Sequence, residues 1–92
     1  MEHPCIDSDA IINRFKRIEG QVRGLIKMVE EHKPCEEILI QVSSAKAALH
    51  KAGQGILQCH LEHCIFDNLR QGNDAEAMKR LSVAIEQFSR MV

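Results

Sequence analysis

The sequence predicts an all-α protein of three helices, with the middle one far the longest. Three observations carry this. Apolar residues recur in alternating steps of four and three, the spacing of one helix face. No stretch alternates with the period of two that marks a half-buried strand. The breaks fall at Pro34 and at Gln71-Gly72, dividing the chain into rods of unequal length.

Asp7, Ser8 and Asp9 supply N-cap candidates for the first helix. Its stripe runs Ile11, Phe15, Ile18, Val22, Leu25 and Val29, widened by Ile12 and Ile26. Pro34 ends it and can open the next helix, whose first turn carries Glu36 and Glu37 where the macrodipole favours acids. The second stripe is Ile38, Val42, Ala45, Leu49, Ala52, Ile56, Cys59 and His63. Gly53 and Gly55 fall inside it, but the stripe crosses them without a change of phase, so the helix is expected to continue to Gln71-Gly72. Asn73 with Glu76 resembles a capping box for a third helix, with Ala77, Leu81, Ala84, Ile85 and Phe88 on its apolar face.

Ninety-two residues read as a single domain, 1–92, with residues 1–7 a flexible N-terminus. That length is near the lower limit for a self-sufficient core. Three Phe and no Trp or Tyr leave few large core fillers, so oligomerisation is expected. The N-terminus lacks a basic-plus-apolar signal and no apolar run reaches about 18 residues, so neither secretion nor membrane insertion is indicated. A cytoplasmic protein is expected, its four Cys held as thiols for metal or redox chemistry.

A net charge of −1 excludes a globally basic nucleic-acid binder. The charge is nevertheless uneven. Arg14, Lys16, Arg17, Arg23 and Lys27 stand against one acid, Glu19, and such a patch suits phosphate.

The stretch QCHLEHC, residues 58–64, carries two His/Cys pairs at helical spacing: Cys59/His63 and His60/Cys64. Residues four apart share a helix face, so either pair can offer two ligands to one metal ion, and spacing alone does not choose between them. Cys35 in HKPCEEI is the obvious third ligand. Cys35 and His60 stand 25 residues apart, or ~37 Å along a continuous helix. They cannot share an ion within one chain. Two copies of the helix packed antiparallel about residues 48–49 would bring them together and create two equivalent sites. Ala45, Ala47, Ala48, Ala52 and Gly53 are small enough to allow such an approach.

RFKRIEGQVRGLIKMVEEHKPCEEILIQVSSAKAAL followed by HLEHC resembles the CsoR/RcnR family of bacterial metal- and stress-responsive transcriptional repressors, from about Asp9 to Phe88. The spacing of Cys35, His60 and Cys64 matches the copper-sensing branch. The resemblance implies a three-helix protomer, an antiparallel homodimer through helix 2, a dimer-of-dimers homotetramer, and ligands drawn from two chains. It thereby selects His60/Cys64. Two thiolates and one imidazole suit Cu(I), a soft ion that accepts three ligands, whereas Zn²⁺ wants a fourth. In the nickel-responsive branch an N-terminal His joins the set. His3 stands in that register, and His3, Cys35, His60 and Cys64 would offer two N and two S ligands to Ni(II). No organic cofactor is implied.

The chain also departs from the copper-sensor pattern. Arg80 stands where copper-sensing members often carry a Glu thought to support the His ligand, and Pro34 replaces an aromatic sometimes found before the Cys. Cys5 and Cys59 add thiols that suit the persulfide-responsive branch.

The resemblance further implies operator binding without a helix-turn-helix. We assign it to Arg14, Lys16, Arg17, Gln21 and Arg23, extended by Lys46 and Lys51. Metal would bind the conformation that releases DNA, lowering each affinity by the same factor. A thiol enzyme fits poorly, since nothing resembles a substrate pocket or an oxyanion donor set. A cytosolic metal-binding protein would use the same ligands without DNA.

Overall fold

The computed structural model describes residues 8–91, with Ser8 and Cys64 described as backbone only. Helix α1 spans Ser8–Glu30 and α2 spans Cys35–Cys59. A π-helical turn follows over His60–Ile65, then α3 over Phe66–Arg70 and α4 over Asp74–Ser89. Helical backbone is therefore unbroken from Cys35 to Arg70, and no strand occurs among the described residues. The three-rod reading holds, with the middle rod passing through Gly53 and Gly55.

The breaks are built alike. At the end of α1, Lys33 N–H donates to Met28 C=O at 3.0 Å and His32 N–H to Val29 C=O at 3.1 Å. This is a Schellman cap, and His32 supplies its left-handed residue at φ +55°. At the end of α3, Asn73 N–H donates to Asn68 C=O at 2.8 Å and Gly72 N–H to Leu69 C=O at 3.1 Å, with Gly72 at φ +81°. Pro34 closes the first break by accepting from Ile38 N–H through its carbonyl, 3.2 Å away.

The expected capping box at Asn73 does not form. Asn73 is the N-cap residue of α4, but its side chain makes no capping bond. A capping box needs the N–H of the cap residue to meet the Glu side chain. Here that N–H is already committed to Asn68.

The chain divides into two compact units, one from Ser8 to Ala52 and the other from Gly53 onward. In the first, α1 lies against the opening turns of α2, where Gln21 Nε2 donates to Ser44 Oγ at 3.4 Å. Ile18, Ala45 and Ala52 are buried. Ala45 and Ala52 thus serve contacts within the chain, which leaves them unavailable for the close approach of a second copy. The α1 stripe is only partly covered: Phe15, Val22 and Val29 stay exposed, as does Ile26 at 56%. In the second unit Ile65 and Ala77 are buried, and α4 packs on the π turn and α3. Met91 closes over Gly53, where a built Cβ would lie 2.6 Å from Met91 Cε.

Candidate metal centre and nucleic-acid interface

The His/Cys stretch coincides with the π turn. Phe66 N–H donates to Leu61 C=O, five residues back, instead of closing an ordinary α turn. One extra residue in a turn delays the return of the buried face. On an uninterrupted α phase the face of Ile56 and Cys59 returns at His63. Here His63 is exposed and the inward position falls two residues later, at Ile65, which is 2% exposed.

The same shift separates the two candidate pairs. Cys59 and His60 are half-buried, whereas His63 is exposed. His63 Nε2 lies 4.0 Å from Glu62 Oε2, and Glu62 Oε1 accepts from Gln58 Nε2 at 3.1 Å. His63 thus belongs to a solvated surface group, away from the face the α phase gave it. His60 and Cys64 both lie within the π turn, and Cys35 is an exposed free thiol as the first residue of α2. His3 and Cys5 lie outside the described residues. Among the described residues, no three His, Cys, Asp or Glu side chains of one chain come together as a metal site. Two thiols and one imidazole are donor types that suit a soft ion.

Arg80 sits half-buried in α4, which packs on the π turn. A guanidinium has no acceptor, so it cannot take the proton of an imidazole ligand as a carboxylate would. Whatever orients His60, Arg80 does not do so as a hydrogen-bond acceptor.

The second chemical feature is a groove of about 490 Å³ between α1 and α2 in the Ser8–Ala52 unit. Arg14, Arg17 and Gln21 line it from α1, and Ala48 and Lys51 from α2. Positions 14, 17 and 21 share one helical stripe. Lys16 and Arg23 fall on a different stripe and, with Lys46, are exposed outside the groove lining. Gln21 is not a free polar arm, because its amide nitrogen holds Ser44 while its Oε1 is buried without a hydrogen-bond partner. Ser44, the residue that fixes Gln21, was missed from sequence: a Ser in mid-helix carries no signal until its partner is known.

No described helix is long and apolar enough to cross a membrane.

Comparison with known proteins identifies the family. A family model described as "Metal-sensitive transcriptional repressor" matches residues 7–90. The copper-sensing transcriptional repressor CsoR of Bacillus subtilis (strain 168) is 38% identical over 84 residues, which are 91% of this chain and 83% of that protein. The copper-sensing repressor RicR of Mycobacterium tuberculosis is 36% identical over 84 residues, covering 91% of this chain and 86% of its own. Among solved structures, the copper-sensing repressor CsoR with Cu(I) from Geobacillus thermodenitrificans NG80-2 superposes with a TM-score of 0.86 at 39% identity, over 96% of this chain and 94% of that one. The nickel-responsive transcriptional regulator InrS gives a TM-score of 0.84 at 35% identity, over 96% and 99%. The chain belongs to the family of metal-sensitive transcriptional repressors.

Proposed function

We propose that this repressor senses Cu(I) in the cytoplasm. It binds operator DNA as a metal-free homo-oligomer and leaves it when Cu(I) enters a site made of Cys35 from one protomer and His60 and Cys64 from its partner. The observation that carries this reading is the split ligand set. An imidazole and a thiolate stand four apart in one π turn, and a free thiol stands at the start of α2. Two thiolates and one imidazole complete the coordination of a soft d¹⁰ ion. Relatives named as copper sensors support the same ion.

A second copy is supported by what a single chain leaves uncovered. An apolar groove of about 420 Å³ is lined by Val22, Leu25, Ile26, Val29, Ile38 and Val42. Leu39 and Ile40 are each 65% exposed. Apolar surface of this extent on a small chain marks an interaction face. An antiparallel dimer, and a pair of such dimers, would cover it.

DNA is held by the basic groove. Arg14, Arg17 and Lys51 meet phosphates from within it, Lys16, Arg23 and Lys46 extend the field, and Gln21, tied to Ser44, shapes the groove wall beside them. Contacts of this kind give affinity through counterion release and little base-edge readout, so operator choice rests partly on DNA shape. Metal and DNA oppose each other by linkage, with a coupling of about 1–3 kcal/mol typical of such switches.

Likeness to a nickel-responsive regulator favours one alternative, in which His3 joins Cys35, His60 and Cys64 around Ni(II). A His3→Ala variant separates the two: Cu(I) affinity stays and Ni(II) affinity falls only if His3 is a ligand.

Subunit mixing tests the shared site. Cys35→Ala and His60→Ala variants should each fail to respond to Cu(I). Refolded together, they form heterodimers in which one site has lost both ligands and the other is intact. Cu(I)-dependent DNA release should then return in part. If the mixture stays as inert as its components, the ligands do not come from two chains.

A further inference from the structure

Gln21 lines the basic groove from α1, and its Nε2 donates across to Ser44 Oγ on α2 at 3.4 Å. The other end of the same amide, Oε1, is buried without a hydrogen-bond partner. A buried acceptor left unmatched is costly, and turning the side chain out to water would relieve it. The bond to Ser44 opposes that rotation.

The same bond sets the register of the groove. From Gln21 the lining residues of α1 step back by four and then three, to Arg17 and Arg14. From Ser44 those of α2 step forward by four and then three, to Ala48 and Lys51. Equal steps rise equally along two α-helices. With Gln21 opposite Ser44, Arg17 therefore stands level with Ala48, and Arg14 with Lys51. The small Ala48 leaves room opposite Arg17. Arg14 and Lys51 are like charges, and like charges facing across a gap favour its widening. The neutral bond about two turns away resists it.

We propose that Ser44 is a positioning residue of the DNA-binding groove. By tying Gln21 across the gap, it holds Arg14 and Arg17 on α1 at the spacing from Lys51 on α2 at which all three engage one stretch of phosphates. The inference rests on the reading of this groove as the DNA interface and deepens it. Ser44 brings no charge of its own. Its effect is on how many cations engage together, and each engaged phosphate adds close to one unit to the salt slope. A hydroxyl suits the task, because it accepts from the amide, is short enough to leave the groove open, and does not titrate.

Ser44→Ala removes the hydroxyl, suits a helix and takes away no charge. The full-length, metal-free protein is titrated onto labelled operator DNA at several salt concentrations by fluorescence anisotropy, with its assembly followed by sedimentation. Operator affinity is expected to fall about two- to tenfold, the worth of one neutral hydrogen bond. The salt slope should flatten by about 0.5–1 unit per protomer engaged, although every cation is still present. Ser44→Thr keeps the hydroxyl and should restore both values. In a Gln21→Met background the tie is already cut, so Ser44→Ala should add little. An unchanged slope would overturn the proposal, because a variant that merely folds or assembles less well loses active protein without altering how many phosphates each active molecule meets. So would additive effects of Ser44→Ala and Gln21→Met, or an affinity loss that tracks dissociation of the oligomer. Should Ser44→Ala fail to fold, Gln21→Met cuts the same bond from the other side and should flatten the slope alike. Arg14→Ala with Arg17→Ala separates the two failures. If that pair leaves operator binding unaltered, the groove is not the interface; if it flattens the slope and Ser44→Ala does not, the role of Ser44 alone is refuted.

Discussion

The amide of Phe66 donates to the carbonyl of Leu61, five residues back. That bond sets which residues of the HLEHC stretch turn inward. His60 is half-buried on the near side of the π turn, Ile65 is buried on the far side, and His63 is left to solvent beside Glu62. Two histidines three residues apart therefore have different fates.

His60→Ala should reduce Cu(I) affinity more than about a hundredfold, beyond the range usual for groups that only support a ligand. His63→Ala should change it by no more than about twofold, as for an exposed substitution. Competition with a Cu(I) chelator measures both. A larger loss at His63 than at His60 would mean the α phase, and not the π turn, governs the site.

Much of the fold was legible because its signals are local. Pro34 and Gly72 mark real breaks, and the four-three stripe marks real helices. The π turn was not legible, since HLEHCI contains no breaker and its hydrogen bonds leave no trace in residue type. Reading the stripe straight through put His63 inside. Periodicity also identifies an apolar face without saying what covers it. Phe15, Val22 and Val29 belong to the α1 stripe, yet within one chain they stay exposed.

His32 holds the left-handed position that ends α1, a place where glycine is normally favoured. A residue with a Cβ is strained there by about 1–2 kcal/mol, although part of any relief is lost to the greater freedom of glycine in the unfolded chain. His32→Gly should therefore stabilise by about 0.5–1 kcal/mol. Gly72→Ala, at the equivalent position after α3, should destabilise by about 1 kcal/mol or more. Urea unfolding at one fixed protein concentration measures both, since stability and assembly are linked.

Operator binding should weaken steeply with salt if Arg14 and Arg17 meet phosphates. Each contact contributes close to one unit of slope in the logarithm of affinity against the logarithm of salt. Arg14→Ala with Arg17→Ala should lower affinity and flatten the slope by about 2 units per protomer engaged, equally for operator and unrelated DNA. Cu(I) affinity should be unchanged. Fluorescence anisotropy at several salt concentrations reads the slope, and an unaltered slope would remove both residues from the interface.

Gly53 and Gly55 both lie inside α2, yet they should respond differently to a methyl group. Alanine in a helix interior is favoured over glycine by about 0.5–1 kcal/mol. At Gly55 no atom lies within 4 Å of a built Cβ, so Gly55→Ala should yield that gain in full. At Gly53 the new Cβ would stand 2.6 Å from Met91 Cε and 3.0 Å from its Sδ. The Met91 side chain is unbranched and can swing aside, which costs contact with α2 but no backbone strain. Gly53→Ala should then come out near neutral, the helix gain offset by the displaced thioether. In a Met91→Ala background the obstacle is gone, and Gly53→Ala should recover its full gain. The difference between the two backgrounds is the coupling energy of the pair. A coupling of zero would mean Met91 does not rest on Gly53, and a loss of stability at Gly55 would reveal a neighbour that the single chain lacks.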